Sequence, residues 1–274
     1  VLHRMRNRHH CLIFLCNTQA ELDLLHRYGE AAFLHNKTSV ASERLFKPLG
    51  AEQGRFDAVY NAQLAAWKRH ELTLDVERCA FIFYRDHTGA TGRQSEETLM
   101  ERHRRLAPGH VFLNSVDGSG RPVRMPPEDV NRHLNDAAVG LCLSAVEGPM
   151  FASTEYMLAG LPVVTTPNRG GRDVYMDDEY CLTVPPDPRS VSEAVEALKA
   201  RRIPRNYIHE RTLTKLERDR RRFVDLLNEL LDESGSRKRI GMPWPFRHPV
   251  MAWLKPEVAI RRALAGEVDA FAEE

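Results

Sequence analysis

Several protein classes are excluded by what this sequence lacks. No apolar run approaches the length that spans a bilayer. The five cysteines form no Cys-x-x-Cys pair, and an odd count without a secretion signal predicts a reducing, cytoplasmic compartment. The net charge is only +1, so no overall basic field indicates a nucleic-acid partner.

Common nucleotide and metal motifs are also missing. The twelve histidines include no His-Glu-x-x-His and no Cys/His spacing, so no metal site is predicted. No Walker lysine motif is present, and the one Gly-x-Gly run, Gly118–Gly120, lacks the third glycine of a dinucleotide fingerprint. A dehydrogenase is therefore disfavoured.

What is present is a regular alternation of apolar runs and helical patterns that begins at Phe56. This alternation predicts a doubly wound, parallel α/β sheet of Rossmann type. The predicted strands are 57–60, 80–84, 111–114, 139–143, 162–165 and 182–184, and the predicted helices are 64–74, 96–106, 128–137, 150–158 and 191–200, the last capped by Ser190.

Two flanking regions differ from this pattern. Residues 1–55 predict strands at 11–16 and 31–34 and a helix at 20–28 capped by Asn17-Thr18, too little for a complete domain. Residues 205–274 begin with a charged helix at 208–232. A tail at 237–255, rich in Trp, Pro and basic residues, predicts either a strap packed on the domain or a patch for an anionic membrane or partner, followed by a short helix at 258–264.

The chemistry concentrates in residues 141–172, a strand–loop–helix–strand unit. In an open α/β sheet, ligands bind at the carboxyl ends of strands, and the Glu147-Gly148-Pro149 turn lies at such an end. Gly148 suits a helix cap and Pro149 the first turn. The backbone N–H groups of Met150, Phe151 and Ala152 would then be unpaired and predict a phosphate site.

Two carboxylates flank this predicted helix start. Glu147 would repel a diphosphate directly ahead of it, so we expect it to hold sugar hydroxyls beside the phosphate. Glu155 lies more than a turn into the helix and could reach a second diol, as acidic side chains do in nucleotide-binding α/β folds. Alternatively, both acids stabilise the helix start and nothing more.

This stretch resembles the donor domain of retaining glycosyltransferases of the GT-B architecture, in particular the family 4 group. The resemblance covers residues 56–200 and implies that Glu147 contacts the donor sugar, Glu155 the nucleotide ribose, and the amides of residues 150–152 the diphosphate. The matching motifs are the Glu-x7-Glu pair Glu147–Glu155, then Gly160-Leu161-Pro162-Val163-Val164, then Gly170-Gly171.

The same family carries an arginine and a lysine after its first donor-domain strand, and these neutralise the diphosphate. Lys68 matches the lysine, whereas Gln63 (or Ala62) stands in the arginine place. A charged hydrogen bond is worth about 1.5–3 kcal/mol. We therefore expect Arg69 or Arg172 to compensate. Base contacts are expected from residues 116–125, with no single residue indicated.

The resemblance implies transfer of a sugar from a nucleoside-diphosphate sugar to an unknown acceptor, with the diphosphate stabilised electrostatically by Lys68 and the helix amides. The nucleotide sugar is a substrate, and no cofactor or metal is implied. Absence of an Asp-x-Asp pair argues against a metal-dependent GT-A enzyme. The short segment 1–55 would be the last part of an acceptor domain. This leaves three alternatives open: a non-catalytic nucleotide- or partner-binding module, an epimerase of the same architecture, and an oligomer in which a neighbour completes the cleft.

Overall fold

The computed structural model describes residues 12–50, 54–84, 93–118 and 122–243. Its regular elements, in chain order, are β1 (Phe14–Cys16), α1 (Gln19–Arg27), β2 (Ala32–Leu34), a 3₁₀ helix (Lys37–Val40), β3 (Phe56–Asn61), two further 3₁₀ helices (Ala66–Lys68 and His70–Thr73), β4 (Cys79–Ile82), α2 (Arg93–Leu106), β5 (Val111–Phe112), α3 (Pro127–Asn135), β6 (Ala137–Cys142), α4 (Phe151–Leu158), β7 (Val163–Thr165), β8 (Cys181–Thr183), α5 (Pro188–Arg201) and α6 (Arg205–Glu233).

Six of the strands form one parallel sheet in the order β5-β4-β3-β6-β7-β8. The chain therefore winds outward from β3 in one direction and outward from β6 in the other. The predicted doubly wound sheet is confirmed. Where such a sheet reverses its strand order, the carboxyl ends of the two central strands open a crevice that binds ligands. Here that crevice lies beyond β3 and β6.

The sheet is covered on both faces, which explains the continuous apolar runs of its central strands. β6 is almost wholly buried, and a Cβ at Gly140 would lie 2.5 Å from the Tyr156 ring of α4. Glycine thus lets α4 approach the sheet closely. The Tyr156 hydroxyl accepts a 2.6 Å hydrogen bond from the N–H of Asn61, so α4 is tied to the carboxyl end of β3.

Residues 12–50 form a small unit of their own. β1 and β2 pair in parallel, and α1 between them is capped by the Thr18 side chain, as predicted. The unit packs on α6. Arg220, only 2% exposed, donates to the carbonyls of Ser39 and Ala41, and the His35 ring stacks on Phe223 at 4.3 Å between centroids.

Two predictions about helices are wrong. The helix predicted at 64–74 is two short 3₁₀ helices, because Arg69 adopts a left-handed conformation (φ 54°) and its guanidinium is held by the Leu143 carbonyl and the Thr166 hydroxyl. α5 is capped not by Ser190 but by Asp187, whose carboxylate accepts the Ser190 N–H at 2.9 Å. The longer helix gains a proline at its first position, which suits that place.

The charged helix predicted at 208–232 is confirmed as α6. Its buried face includes Ile208, Leu216 and Val224, and also the polar Asp219 and Arg220. After α6 the chain turns back, and the Asn228 side chain bonds both the N–H and the carbonyl of Ile240. Of the predicted tail at 237–255, the described part ends at residue 243. Residues 244–255, the helix predicted at 258–264 and the loop at 89–92 lie outside the described residues.

Candidate functional site

An ion pair joins the two loops that leave the central strands. The loop after β3 carries Lys68, and the loop after β6 carries Glu147; the Lys68 ammonium pairs with Oε1 of Glu147. Lys68 is buried and the Glu147 side chain is 19% exposed. The structure therefore brings the predicted lysine and the first predicted glutamate together at the crevice of the sheet.

Main-chain contacts hold the Lys68 loop in place. The buried Tyr60 hydroxyl at the end of β3 donates to the carbonyl of Lys68 at 2.6 Å, and burial raises the Tyr60 pKa well above its ordinary value, which keeps this donor protonated. The N–H of Ala145 donates to the carbonyl of Trp67 at 3.2 Å. The loop is thus fixed both to its own strand and to the loop that carries Glu147.

The second oxygen of Glu147 has no such fixed role. Oε2 is buried and makes no hydrogen bond within the described part of the chain. An unpartnered buried carboxylate oxygen is costly, unless a ligand supplies the donor. Its position beside the Lys68 ammonium makes it an acceptor for a hydroxyl group that enters the crevice.

The N-terminus of α4 opens beside this carboxylate, two residues later than predicted. The cap is Met150, in an extended conformation (φ −103°, ψ 113°), so the prediction of Gly148 as cap is wrong. Pro149 and Met150 continue the extended chain, and the first turn starts at Phe151. The amides of Phe151 and Ala152 belong to that turn, where no intrahelical acceptor exists. Their binding of a phosphate stays a prediction.

Glu155 lies in the second turn of α4, beyond the reach of a simple helix-start role. The first turn contains no acidic residue, so the alternative that both glutamates only stabilise the helix start is wrong. Burial raises the pKa of Glu155 to about 7, while the charge of Arg124 opposes that rise. A carboxyl with an elevated pKa, in the helix that follows the loop at the crevice, is a binding-site candidate.

Arg124 and Tyr84 are candidate site residues that the sequence did not single out. Residues 114–116 and 122–123 pair with each other: the N–H of Val123 donates to the Ser115 carbonyl at 2.8 Å, and the Asn114 side chain bonds both the Val123 carbonyl and the N–H of Phe83. Asn114 thus ties the residue before Arg124 to the end of β4. Residues 116–125 were expected to contact the base, but this pairing has no sequence periodicity that would have indicated Arg124.

Tyr84 follows β4 at the same edge. Its side chain is 42% exposed. Its pKa is raised by burial and by the charges of Glu147 and Glu155, which places the phenol within the field of both carboxylates.

The two arginines expected to compensate for Gln63 differ in position. Arg172 is 2% exposed, and its guanidinium donates to the carbonyls of Ser144 and Thr166. It fixes the loops after β6 and β7, and we do not assign it direct donor contact. Arg69 is half-buried and bonds neutral acceptors only, and its pKa is lowered by burial and by Arg172. Gln63 itself lies half-buried in the loop after β3.

The predicted Gly-Gly turn packs against the Glu147 loop. Gly170 has φ 141°, and a Cβ there would lie 2.1 Å from the carbonyl oxygen of Glu147. Only glycine allows this approach. The Ser153 hydroxyl of α4 donates to the carbonyl of Arg172 at 3.0 Å, which closes the turn onto the helix.

Part of the chain is similar to a known family of proteins. Residues 81–201 match the family Glycosyl transferases group 1. The matched region holds Glu147, Glu155 and the glycine turn, while Lys68 precedes it. No curated protein matches the chain.

Solved structures share the fold. The chain is similar to sucrose-phosphate synthase from Thermosynechococcus elongatus, at 17% identity and a TM-score of 0.57 over 81% of this chain and 59% of that one. It is also similar to Anabaena HepE in complex with UDP, at 17% identity and a TM-score of 0.57 over 84% and 65%. A third similar structure, trehalose-6-phosphate from E. coli bound with UDP-2-fluoro glucose, shows 12% identity and a TM-score of 0.53 over 76% of this chain and 57% of that one.

At these identities the likeness shows the fold, which is that of GT-B glycosyltransferases. The chain spans less than two thirds of the length of each of these three structures. None of the described helices is both long and apolar enough to cross a membrane. Within the described ranges, no three His, Cys, Asp or Glu side chains gather as metal ligands would.

Proposed function

We propose that this chain binds a nucleoside-diphosphate sugar and transfers the sugar, with retention, to an acceptor, in the manner of family 4 glycosyltransferases. The observation that carries the proposal is the Lys68–Glu147 ion pair at the switch point of the sheet: Oε2 of Glu147 has no partner among the described residues, and the loop that carries it leads into α4 at Phe151. One carboxylate oxygen pairs with the Lys68 ammonium, and the other can accept a hydrogen bond from a sugar hydroxyl.

Each part of the nucleotide sugar is assigned to the groups of the site whose charge suits it. The amides of Phe151 and Ala152 and the Lys68 ammonium bind the diphosphate. The ammonium has three hydrogens and donates one to Glu147, so two are left for phosphate oxygens. The sugar hydroxyls belong to Glu147. The ribose belongs to Glu155, with Tyr84 and Arg124 beside it on the base side. Arg69 adds a positive charge in the same loop, and its guanidinium donates to the Leu143 carbonyl and the Thr166 hydroxyl.

The chemical step then needs no side-chain nucleophile. The bond between the anomeric carbon and the β-phosphate oxygen breaks, and the acceptor hydroxyl forms its bond to that carbon on the same face. The acceptor proton passes to the departing phosphate oxygen. Lys68 and the helix amides stabilise the negative charge that develops on the diphosphate, which is electrostatic catalysis by groups already in place.

A direct test measures release of nucleoside diphosphate. UDP-glucose, GDP-mannose and ADP-glucose would each be incubated with the protein, and free UDP, GDP or ADP assayed with and without simple sugar acceptors. The proposal predicts release from at least one donor that is lost in Glu147→Gln. Release that persists undiminished in Glu147→Gln would contradict it.

A second candidate is a binding module that holds a nucleotide sugar without transferring it. Two observations favour it: glutamine stands where the family has an arginine, and the guanidinium of Arg172 is consumed by carbonyls of the surrounding loops. This candidate predicts calorimetric binding of a nucleotide sugar without any release of diphosphate. Turnover that depends on Glu147 would exclude it.

A further inference from the structure

Asn36 lies at the centre of a buried network between residues 12–50 and the site. Its side chain is 1% exposed, and all its hydrogen-bonding capacity is used. Nδ2 donates to the carbonyls of Gly171 (2.7 Å) and Asn17 (3.2 Å), while Oδ1 accepts from the N–H (3.0 Å) and the hydroxyl (2.8 Å) of Thr38. A saturated buried amide has one orientation, so it fixes the segments that it joins.

One of those segments is the glycine turn beneath Glu147. Gly171 has φ 87°, and a Cβ there would lie 2.9 Å from the carbonyl oxygen of Asn17. On its other side, Gly170 lies against the carbonyl of Glu147 and the Cα of Gly148. The turn is therefore clamped between residues 12–50 and the main chain that carries the Glu147 carboxylate.

The same network reaches the helix that carries the second carboxylate. The hydroxyl of Thr154 donates to the hydroxyl of Thr38 at 2.9 Å, and both side chains are buried. Thr154 directly precedes Glu155 in α4. Thr38 thus contacts the helix that bears Glu155, and Asn36 reaches the Glu147 segment through the glycine turn.

We propose that Asn36 is a positioning residue for the donor site: it holds the Gly170–Gly171 turn, and through it Glu147, in the geometry that accepts the sugar. Residues 12–50 are then part of the donor site itself. The inference rests on the proposed function, because it concerns the geometry in which Glu147 meets a nucleotide sugar.

Asn131 is a control residue for Asn36, because it is a similarly buried amide that lies away from the glycine turn. Asn131 is 2% exposed and also ties the N-terminal unit to the sheet domain, since its side chain accepts from the N–H and donates to the carbonyl of Lys47, both at 3.1 Å. It lies in the second half of α3, which ends at the amino edge of the sheet, opposite the site. Asn131→Ala therefore removes a similar buried amide without touching the glycine turn.

The experiment compares Asn36→Ala, Asn36→Asp and Asn131→Ala in the full chain. Calorimetry would measure the affinity for UDP-glucose, GDP-mannose and ADP-glucose, and for UDP, GDP and ADP, with the thermal midpoint recorded for each variant. We expect both Asn36 variants to weaken binding of the nucleotide sugar by about tenfold, and that of the free diphosphate by much less, as couplings of about 1–2 kcal/mol would do. Asn131→Ala should leave both affinities within about twofold, as a site remote from the ligand does.

A double-mutant cycle with Glu147→Gln measures whether the two residues are coupled in binding the nucleotide sugar. A merely structural role of Asn36 predicts no such coupling. If Asn36 acts through Glu147, Asn36→Ala should lose most of its effect on sugar-nucleotide binding in the Glu147→Gln background. Additive effects would overturn the inference, and so would Asn36 variants that bind like Asn131→Ala. Thr154→Val, which cuts only the second contact, keeps the test informative if Asn36→Ala fails to fold. Wild-type protein that binds no nucleotide sugar would overturn the proposed function and this inference together.

Discussion

The Lys68 ammonium and the Glu147 carboxylate, 79 residues apart in sequence, form an ion pair that occupies one carboxylate oxygen and leaves the other buried, without a partner among the described residues. Breaking a buried pair from one side leaves an uncompensated charge, which costs about 3–5 kcal/mol. A pair of this kind at the carboxyl edge of a parallel sheet has a cost that ligand binding can offset, because the ligand satisfies the remaining oxygen.

Replacing Lys68 should change both the stability of the protein and its affinity for a nucleoside diphosphate. Lys68→Met keeps the length of the side chain and removes the cation, so Glu147 is left buried and unpaired. We expect a lower thermal midpoint and a loss of affinity for free UDP or GDP of about tenfold, since a charged hydrogen bond to phosphate is worth about 1.5–3 kcal/mol. In the double variant with Glu147→Gln the stability should partly return. A midpoint unchanged in Lys68→Met would show that the pair carries no such cost.

Glu155 predicts a pH dependence of nucleotide binding. Its pKa is raised to about 7 by burial, so near neutral pH a large share of the free protein holds the proton. A carboxylate that accepts ribose hydroxyls is favoured in its charged form, so binding should release a proton and affinity should rise as pH increases from about 6 to about 8. Calorimetry in buffers of different ionisation enthalpy measures the released proton. Glu155→Gln should abolish it; equal release from that variant would assign the proton to another group.

The same group predicts an opposite trend for stability. Between its unfolded pKa near 4.5 and its folded value of about 7, the folded state keeps a proton that the unfolded chain has lost. The contribution of Glu155 to stability therefore falls as pH rises through this window. Glu155→Gln should unfold at a higher temperature than wild type at pH 8, with the difference shrinking towards pH 4.5. A variant less stable than wild type at pH 8 would be inconsistent with a carboxylate buried at a cost.

Acid sensitivity should come from three histidines on one face of the sheet. His70 packs between Tyr60 and Phe81, and both its ring nitrogens are buried without hydrogen bonds to described residues. Its pKa is lowered to about 3 by burial and by the charges of His103 and Lys68. Burial also lowers the pKa of His103, to about 4, and that of His110.

These shifts fix the sign of the effect. A histidine whose pKa is lowered in the folded state makes its full contribution to the free energy of unfolding above about pH 6.5. That contribution is lost as pH falls, because the unfolded chain takes up the proton at a higher pH than the folded protein does. His70→Phe removes an unsatisfied ring and should raise stability at pH 7.5. It should also flatten the acid side of a urea-denaturation pH profile by up to about 1.4 kcal/mol per pH unit. A profile as steep as that of wild type would contradict the assignment.

The glycine turn should tolerate no side chain at residue 170. A methyl group there would lie 2.1 Å from the Glu147 carbonyl oxygen, in a backbone conformation that favours glycine. Gly170→Ala should therefore cost about 2 kcal/mol or more of stability and weaken nucleotide-sugar binding. Gly118→Ala, where a Cβ meets nothing within 4 Å, is the control and should change the midpoint little. Equal midpoints for the two variants would mean that the turn can move away from Glu147.

The sequence predicted the sheet well because its central strands are continuous apolar runs that burial on both faces requires. Glu147 was singled out for a related reason, since a polar turn at the end of such a run falls at the ligand-binding edge. Glu155 was singled out by its spacing from Glu147, which resembles the motif of family 4 glycosyltransferases. The start of α4 at Phe151 was missed, because Pro149 and Gly148 carry strong local signals that the extended Met150 overrides.

Long-range contacts were beyond the reach of local patterns. The bond between Asn36 and Gly171 joins residues 135 apart, and the burial of Arg172 depends on loops after two different strands. The charge of Arg124 acts on Glu155 because the Asn114 side chain and the Ser115 carbonyl hold Val123, the residue before Arg124. Propensity and periodicity describe neighbours along the chain and do not encode such pairings.

The central claim is that Glu147 holds the sugar of a nucleotide sugar while Lys68 and the N-terminus of α4 hold its diphosphate. Calorimetric titration of wild type and Glu147→Gln with UDP and UDP-glucose, and with the GDP and ADP pairs, tests it most directly. The account predicts that one nucleotide sugar binds wild type more tightly than its diphosphate, and that Glu147→Gln removes this advantage while leaving diphosphate affinity within about threefold. A wild-type protein that binds none of these ligands, or a Glu147→Gln variant that retains the full advantage of the sugar, would contradict it.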